Sequence, residues 1–329
     1  MPTPVLLFSH PDCQDHLTGP EHPESAARLA AIEAALAAEP ALAGLPVEAP
    51  PPAGEADLLR VHTPALLARI RAHVAAAGAT RSLDWLEPET PVSAGSERAA
   101  LASAGCAIAA ARAVASGRAA AAFALGRPPG HHAAPDRAGG YCLFNNVAVA
   151  ARAVQADGLA ERVLILDWDV HHGDGTQAVF WEDPSVYLLS VHLWPHYPGT
   201  GAPEERGAGP GRHTTRNVPV PHGTTPAGYR ALVADALEAA LAEFTPDLLL
   251  VSAGFDTLAD DPQGGLHLEP PDFHALTADV LASAAAAGCS RVAAVLEGGY
   301  VPARVGRAVV QVVRALAGLP AAAHAPERA

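Results

Sequence analysis

Five short apolar runs, each followed by a cluster of polar residues, constrain the fold of this chain more than any other feature. They occupy residues 119–125, 162–166, 185–191, 247–252 and 291–296, and Ala- and Leu-rich stretches lie between them. Short buried strands that alternate with helices are typical of a doubly wound α/β domain with a mainly parallel central sheet. Because parallel strands end at one edge of a sheet, we expect the polar clusters that follow them to meet there.

Four of the intervening stretches have helical length, and they cover residues 96–116, 145–156, 226–244 and 271–287. Gly117, Gly158 and Gly288 come just after three of these stretches, where a glycine commonly ends a helix. The 329 residues contain no long linker, internal repeat or block of charge. We therefore predict one α/β domain over residues 1–329, with a core from about residue 10 to 315 and a frayed tail at 320–329.

The richest polar cluster runs from Asp167 to Gly175 and holds three carboxylates and two imidazoles. Side chains alternate along an extended segment, so Asp169 and His171 are expected to point the same way. Asp256 follows another predicted strand and offers a second carboxylate at the same edge. Two carboxylate oxygens and one imidazole nitrogen would leave one coordination position of Zn(II) open for water and substrate. Because oxygen ligands are hard, Fe(II) is an alternative to Zn(II).

Other polar residues at this edge suit proton transfer. His131 and His132 can move protons near neutral pH. Asp167 and Asp174 are the carboxylates expected to orient those imidazoles. Tyr300 follows two glycines after the last apolar run, and its hydroxyl could donate to a developing oxyanion. The residues therefore predict metal-assisted hydrolysis.

Several classes of protein are disfavoured. The chain contains no lysine, which excludes Schiff-base chemistry and a Walker-type phosphate loop, and it has no Gly-x-Ser-x-Gly elbow for a serine nucleophile. A net charge of −14 disfavours direct binding of nucleic acid. Four cysteines without paired spacing argue against a disulfide framework and a thiolate zinc site.

The N-terminal residues lack the basic segment of a signal peptide, and we expect a cytoplasmic protein. The most apolar stretch, residues 101–125, contains Arg112 and Arg118, so no membrane span is predicted.

Taken together, these motifs resemble those of one protein family. The chain resembles the histone deacetylase superfamily and its arginase-like α/β fold, in order and spacing, from about residue 10 to 315. The matching segments are His22–Glu24 with Arg28, Arg127–Ala133, Gly140–Asn146, Leu166–Gly175, Pro198–Gly201, Ala253–Asp256 and Leu296–Tyr300. The Gly-Phe-Asp and Glu-Gly-Gly-Tyr forms resemble the class II branch and its bacterial relatives.

The resemblance implies roles for these residues. Zn(II) would be bound by Asp169, His171 and Asp256. His131 and His132 would be the tandem histidines, with His132 as the general base and acid, and Asp167 and Asp174 as their partners. Tyr300 would polarise the scissile carbonyl.

The resemblance also implies a substrate tunnel and structural potassium. Tyr141 and Tyr197 match the aromatic residues that wall an acyl-lysine tunnel. One potassium site would be formed, mostly by backbone oxygens, by Asp167, Asp169, His171, Ser190 and Val191. A second would be formed by Phe180, Asp183 and Val186.

Three positions distinguish this chain within the pattern. Val301 stands where relatives commonly have Asn, next to the tunnel wall. Gln263 borders the tunnel mouth, where lysine deacetylases carry an apolar residue and a polyamine-preferring branch an acid. Gly173 stands where a binuclear arginase-like centre needs a further Asp, so a two-manganese site is rejected.

Three functions are compatible with these residues. The first is a zinc-dependent deacetylase of acyl-lysine peptides or acetylpolyamines. Neutral Gln263 predicts modest activity on both classes, with acetyl-lysine peptides at least matching acetylpolyamines. The second is hydrolysis of another small acylated metabolite, as in the acetoin-utilisation type. The third is a catalytically silent metal protein that binds acyl-lysine, although Tyr300 argues against it. The oligomeric state is left open.

Overall fold

The structure is a computed structural model that describes residues 5–323. The strands in that range are β1 (Val5–Phe8), β2 (Val47–Glu48), β3 (Asp84–Glu87), β4 (Thr90–Val92), β5 (Ala121–Ala124), β6 (Val163–Asp167), β7 (Val186–Leu193), β8 (Thr215–Val220), β9 (Leu248–Ala253) and β10 (Val292–Leu296). The α-helices are α1 (Ala27–Ala37), α2 (Glu55–Leu58), α3 (Pro64–Thr80), α4 (Ser96–Ala115), α5 (Asn146–Ala156), α6 (Asp174–Phe180), α7 (Pro226–Glu243), α8 (Pro270–Ala286) and α9 (Pro302–Leu316). Short 3₁₀ turns cover Pro11–Asp15, Pro40–Leu42 and Gly209–Gly211.

Eight strands form one parallel sheet in the order β2-β1-β5-β10-β9-β6-β7-β8, and β3 and β4 form a separate antiparallel hairpin. The five strands predicted from the apolar runs are the adjacent strands β5, β10, β9, β6 and β7 at the centre of the sheet. All five run parallel, so their carboxyl ends meet at one edge. The predicted fold class, a mainly parallel sheet with helices on both faces, is confirmed.

Alternate residues of the central strands pack into two separate hydrophobic cores. In β6, Leu164 and Leu166 face one core with α1, α7, α8 and α9, whereas Val163 and Ile165 face the other with α3, α4 and α5. Both faces of the sheet are therefore covered, which explains why its strands are continuous apolar runs. Full burial of each such side chain stabilises the fold by roughly 1.5–3 kcal/mol.

Predicted helix ends agree with the structure to within about one residue. Gly117, Gly158 and Gly288 have φ of 76°, 69° and 84°, so each supplies the left-handed conformation that ends a helix. Helix α4 is long and apolar enough to span a membrane, but 78 % of its apolar window is buried, as in a core helix. All four cysteines are buried and free.

The predicted frayed tail, residues 320–329, is only partly described. The Pro320 carbonyl accepts a 2.6 Å hydrogen bond from Arg314, and Ala322 exchanges two hydrogen bonds with Gln311. The tail therefore contacts α9 over its first residues, and residues 324–329 lie outside the described part of the chain.

Candidate active site

The carboxyl edge of the five central strands holds every predicted catalytic residue and the three predicted zinc ligands. Asp167 is the last residue of β6, and Asp174 is the first residue of α6. Asp256 and Tyr300 follow β9 and β10 by a few residues, and the tandem histidines follow β5. The parallel topology therefore brings together residues that are far apart in the sequence.

Asp169, His171 and Asp256 form a buried cluster whose ligand atoms all lie within 4.8 Å of one another. His171 Nδ1 is 3.0 Å from Asp169 Oδ1 and 3.2 Å from Asp256 Oδ2. Backbone N–H groups hold the carboxylates in place, since Val170 donates to Asp256 Oδ1 at 2.8 Å and Gly298 donates to Asp169 Oδ2 at 2.9 Å. The chain thus fixes three ligand-type groups before any ion binds.

Two features show that this cluster fits a cation. Asp256 Oδ2 is buried and accepts no hydrogen bond in the described part of the protein. A Cβ at Gly298 would lie 2.1 Å from that oxygen, and a Cβ at Gly254 would lie 2.1 Å from Asp169 Oδ2, so glycine is required at both positions. An unpaired buried oxygen in a close glycine-lined site suits a divalent metal, and two carboxylates with one imidazole suit Zn(II) or Fe(II).

The pKa values of the cluster indicate excess negative charge. Burial, with the nearby charge of Asp169, raises the pKa of Asp256 to about 7. Burial opposes a charged imidazole, but the adjacent carboxylates of Asp169 and Asp256 outweigh it and raise the pKa of His171 to about 10. Without a metal, protons neutralise this charge, and a divalent cation among the same oxygens would take their place.

The tandem histidines form the two predicted pairs. His131 Nδ1 lies 2.9 Å from Asp167 Oδ2, and His132 Nδ1 lies 2.7 Å from Asp174 Oδ1. An ionised carboxylate only accepts, so each Nδ1 donates its proton and each Nε2 stays available. Arg137 donates to the second oxygen of Asp174 at 2.8 Å. The ring centroids of His131 and His132 are 4.0 Å apart.

The two histidines differ in charge. Burial lowers the pKa of His132 to about 4, assisted by the positive charge of His131. For His131, burial acts in the same direction, but the carboxylates of Asp169 and Asp167 outweigh it and raise the pKa well above its ordinary value. His132 is therefore neutral at physiological pH, whereas the carboxylates around His131 favour its charged form.

His132, His171 and Tyr300 open onto one cavity of about 320 Å³. Its other lining residues are Glu89, Gly140, Tyr141, His196, Tyr197 and Gln263. The three residues predicted for the tunnel thus line this cavity with the catalytic residues. The ring of Tyr197 meets that of His132 edge-on at 5.1 Å, and Tyr141 meets Tyr300 edge-on at 5.6 Å.

Two lining residues were not predicted from the sequence. Glu89 lies in the β3–β4 turn, and its Oε1 accepts the Gly140 N–H at 3.0 Å. Its charge contributes to raising the pKa of both Tyr141 and Tyr197, after the larger effect of burial. His196 stacks on His171 at 5.0 Å and hydrogen-bonds the Gln263 carbonyl at 2.9 Å. No local motif distinguishes either residue, because each is held at the site by a hydrogen bond to the backbone of a residue far away in the sequence.

Glu297 was part of a motif but had no predicted role. Its side chain is fully buried, and Oε2 accepts the N–H groups of Gly130 and His131 at 2.7 and 3.1 Å. Burial raises the pKa of Glu297 to about 7. It joins the tandem-histidine loop to the loop of Tyr300.

The predicted potassium residues occupy two places. Asp167 and Ser190 are register partners in β6 and β7, so the first set adjoins the metal cluster. Val186 begins β7, so the second set lies at the opposite end of that strand, where the Phe180 carbonyl accepts the Asp183 N–H at 3.0 Å. Potassium binding at either place stays a prediction.

Comparisons with known proteins agree with this geometry. Residues 22–316 match the family model described as histone deacetylase domain. A histone deacetylase-like amidohydrolase of Pseudomonas aeruginosa is 39 % identical over 309 residues, which cover 94 % of this chain and 79 % of that protein.

Two solved structures have the same fold. The crystal structure of the HDA15 HD domain superposes with a TM-score of 0.87 at 33 % identity, covering 97 % of this chain and 90 % of the other. An acetylpolyamine aminohydrolase from Burkholderia pseudomallei superposes with a TM-score of 0.83 at 33 % identity, covering 96 % of this chain and 99 % of the other. The chain belongs to the histone deacetylase family.

Proposed function

We propose that this protein is a zinc-dependent amidohydrolase that removes acetyl or other acyl groups from amines such as acetyl-lysine or acetylpolyamines. The observation that supports this most is the convergence of a metal-ligand residue, a neutral histidine and a buried tyrosine, namely His171, His132 and Tyr300, on one cavity. Hydrolysis of an amide needs a polarised carbonyl, a base for water and an acid for the leaving amine. The cavity supplies groups for each task.

Asp169, His171 and Asp256 are the residues that would hold the metal. A bound Zn(II), or Fe(II) in its place, would polarise the acyl carbonyl and lower the pKa of a water molecule. We also propose structural potassium at the first predicted set, where Ser190 and Val191 adjoin this cluster.

His132 is suited to move the proton. Asp174 accepts from its Nδ1, so its Nε2 is the basic nitrogen. Because the pKa of His132 is lowered to about 4, this nitrogen is unprotonated near neutral pH and can take a proton from an attacking water. The same nitrogen can then give that proton to the departing amine. His131 lies beside His132 and is held in place by Asp167.

Tyr300 is suited to stabilise the developing oxyanion. Burial raises the pKa of its hydroxyl well above the ordinary value, so the hydroxyl keeps its proton throughout the reaction. A retained hydroxyl proton can be donated to the substrate oxygen. This donor also argues against a catalytically silent protein.

The cavity walls indicate an acylated amine as substrate. Tyr141 and Tyr197 supply aromatic surface for a narrow aliphatic chain. Glu89 adds a carboxylate that favours a substrate with a second, positively charged amine, whereas Gln263 is neutral. We therefore propose activity on both acetyl-lysine peptides and acetylpolyamines, in the cytoplasm.

The test is acetate release by the zinc-loaded protein from an acetyl-lysine peptide, acetylputrescine, acetylcadaverine and acetylspermidine. We expect turnover of members of both classes, and loss of turnover in His132→Gln without loss of bound metal. A folded protein with one bound metal that releases acetate from none of them would contradict the proposal.

A further inference from the structure

The peptide unit between Gly299 and Tyr300 is held at both ends by buried charges. Arg28 Nε donates to the Gly299 carbonyl at 2.6 Å, and Asp261 Oδ2 accepts the Tyr300 N–H at 2.6 Å. The other oxygen of the Asp261 carboxylate accepts the Gln263 N–H at 3.0 Å. A cation thus faces the carbonyl end of one peptide plane and an anion faces its N–H end.

This arrangement selects one orientation of the peptide plane. Gly299 has a φ of 111°, a conformation open to glycine and strained for other residues, so its own sterics restrict the plane little. A rotated plane would turn the carbonyl toward Asp261 and the N–H toward Arg28. Hydrogen bonds to ionised groups are about twice as strong as neutral ones, so the two charges oppose this rotation.

The two charged side chains are themselves well fixed. Arg28 is 0 % exposed, donates to the Glu297 carbonyl and pairs with Glu24 at 3.2 Å. Its guanidinium lies 5.1 Å from the centroid of the Tyr300 ring. Asp261 is 9 % exposed. Because both ends are rigid, the direction in which Tyr300 leaves the backbone depends on them.

We propose that Asp261 is a positioning residue that locks the Gly299–Tyr300 peptide and thereby aims the Tyr300 hydroxyl into the cavity. Its second hydrogen bond makes the same carboxylate hold Gln263 at the mouth of that cavity. The tunnel mouth and the oxyanion donor are therefore joined through one side chain. The catalytic consequence rests on the proposed function, whereas the conformational claim does not.

The conformational claim is tested by ¹⁹F NMR of protein labelled with 3,5-difluorotyrosine. The chain has five tyrosines, and a Tyr300→Phe variant assigns the resonance of interest. In Asp261→Asn, one carboxylate oxygen becomes an amide nitrogen, which cannot accept an N–H. We expect the Tyr300 resonance to broaden or split while those of Tyr187, Tyr197 and Tyr229, which do not contact the Tyr300 ring, keep their shifts.

The matched control is Asp260→Asn, because Asp260 is the exposed neighbour of Asp261 and its φ of 65° is one that Asn tolerates. All five resonances should stay unchanged in this variant. An unaltered Tyr300 resonance in Asp261→Asn would overturn the lock. If Asp261→Asn does not fold, Asp261→Glu keeps the charge and should show a single Tyr300 resonance, and a split one would contradict the proposal.

The catalytic consequence is tested by a double-mutant cycle on acetylcadaverine hydrolysis. A donor that is misplaced by a fraction of an ångström should lower kcat of Asp261→Asn about tenfold, with KM and metal content nearly unchanged. In a Tyr300→Phe background, the same substitution should lower kcat less than about twofold, because the hydroxyl it positions is gone. Equal losses in both backgrounds would show a merely structural role and overturn the proposal.

Discussion

We expect the folded protein to lose stability in acid because of one buried histidine, His62. Its imidazole is buried, with Nδ1 3.0 Å from the Ala134 carbonyl and Nε2 accepting the Asn145 N–H at 2.9 Å. Since a backbone N–H only donates, Nε2 must be unprotonated and Nδ1 must carry the single proton. Neutral His62 therefore joins the segment after the tandem histidines to the residue that caps α5.

The size of this loss of stability follows from the change in the pKa of His62 on folding. Burial lowers the pKa of His62 from its ordinary 6.5 to about 4. Between these values the unfolded chain binds more protons than the folded protein, so stability falls as the pH decreases from 6.5 toward 4. This difference in pKa corresponds to about 3 kcal/mol of stability, which is fully present above pH 6.5 and absent below pH 4.

The assay is urea unfolding of the wild type and His62→Gln, followed by circular dichroism at several pH values, with chelator in all samples. At pH 7.5 the variant should be less stable, by about 1–3 kcal/mol, because the Asn145 N–H loses its partner. Toward pH 4 the wild type should lose about 3 kcal/mol that the variant does not lose, so the difference in unfolding free energy should vanish or change sign. A difference that is the same at every pH would refute the reasoning.

Three further predictions concern acetate release by the zinc-loaded protein. Tyr300→Phe should lower turnover about a hundredfold with unchanged metal content, since one oxyanion donor is lost, and near-normal turnover would contradict its role. Gln263→Glu should shift the ratio of kcat/KM values toward acetylpolyamines roughly tenfold, as expected when a neutral hydrogen bond becomes a charged one, and an unchanged ratio would exclude it as a specificity residue. Glu89→Gln should shift that ratio the opposite way by about the same factor. The control Glu87→Gln, whose carboxylate pairs with Arg69 outside the cavity, should leave the ratio as it is.

The centre of the fold was predictable because its strands are buried on both faces. Runs such as residues 162–166 and 247–252 are apolar throughout and end in charged residues, so strand and edge are both visible in the sequence. Elements nearer the margins were not predicted. Helices α1 and α3 precede the five apolar runs that mark the central strands, and β2 has only two residues.

The residues of the candidate site also fall into two groups, those that the sequence predicts and those that it does not. The pairs His131–Asp167 and His132–Asp174 were expected from motifs, and the structure brings both pairs within hydrogen-bonding distance. The position of Glu89 depends on the Gly140 N–H, 51 residues away, and no spacing rule connects such partners. The Gly299–Tyr300 peptide likewise meets its two charged partners only after helix α1 and the loops of Asp261 and Tyr300 have come together.

Substrate choice is also difficult to predict from the sequence alone. Neutral Gln263 was the only residue predicted from the sequence to border the tunnel mouth, whereas Glu89 places a carboxylate on the same cavity. We expect the balance between peptides and polyamines to depend on at least these two residues, of which only Gln263 was singled out from the sequence.

Metal reconstitution tests the central claim most directly. Protein freed of metal by chelation should regain acetate release in proportion to added Zn(II), with a break at one equivalent per chain. Asp256→Ala should bind no zinc and stay inactive. Two equivalents per chain, full activity of the metal-free protein, or a fully metallated Asp256→Ala would contradict a single-metal deacetylase at Asp169, His171 and Asp256.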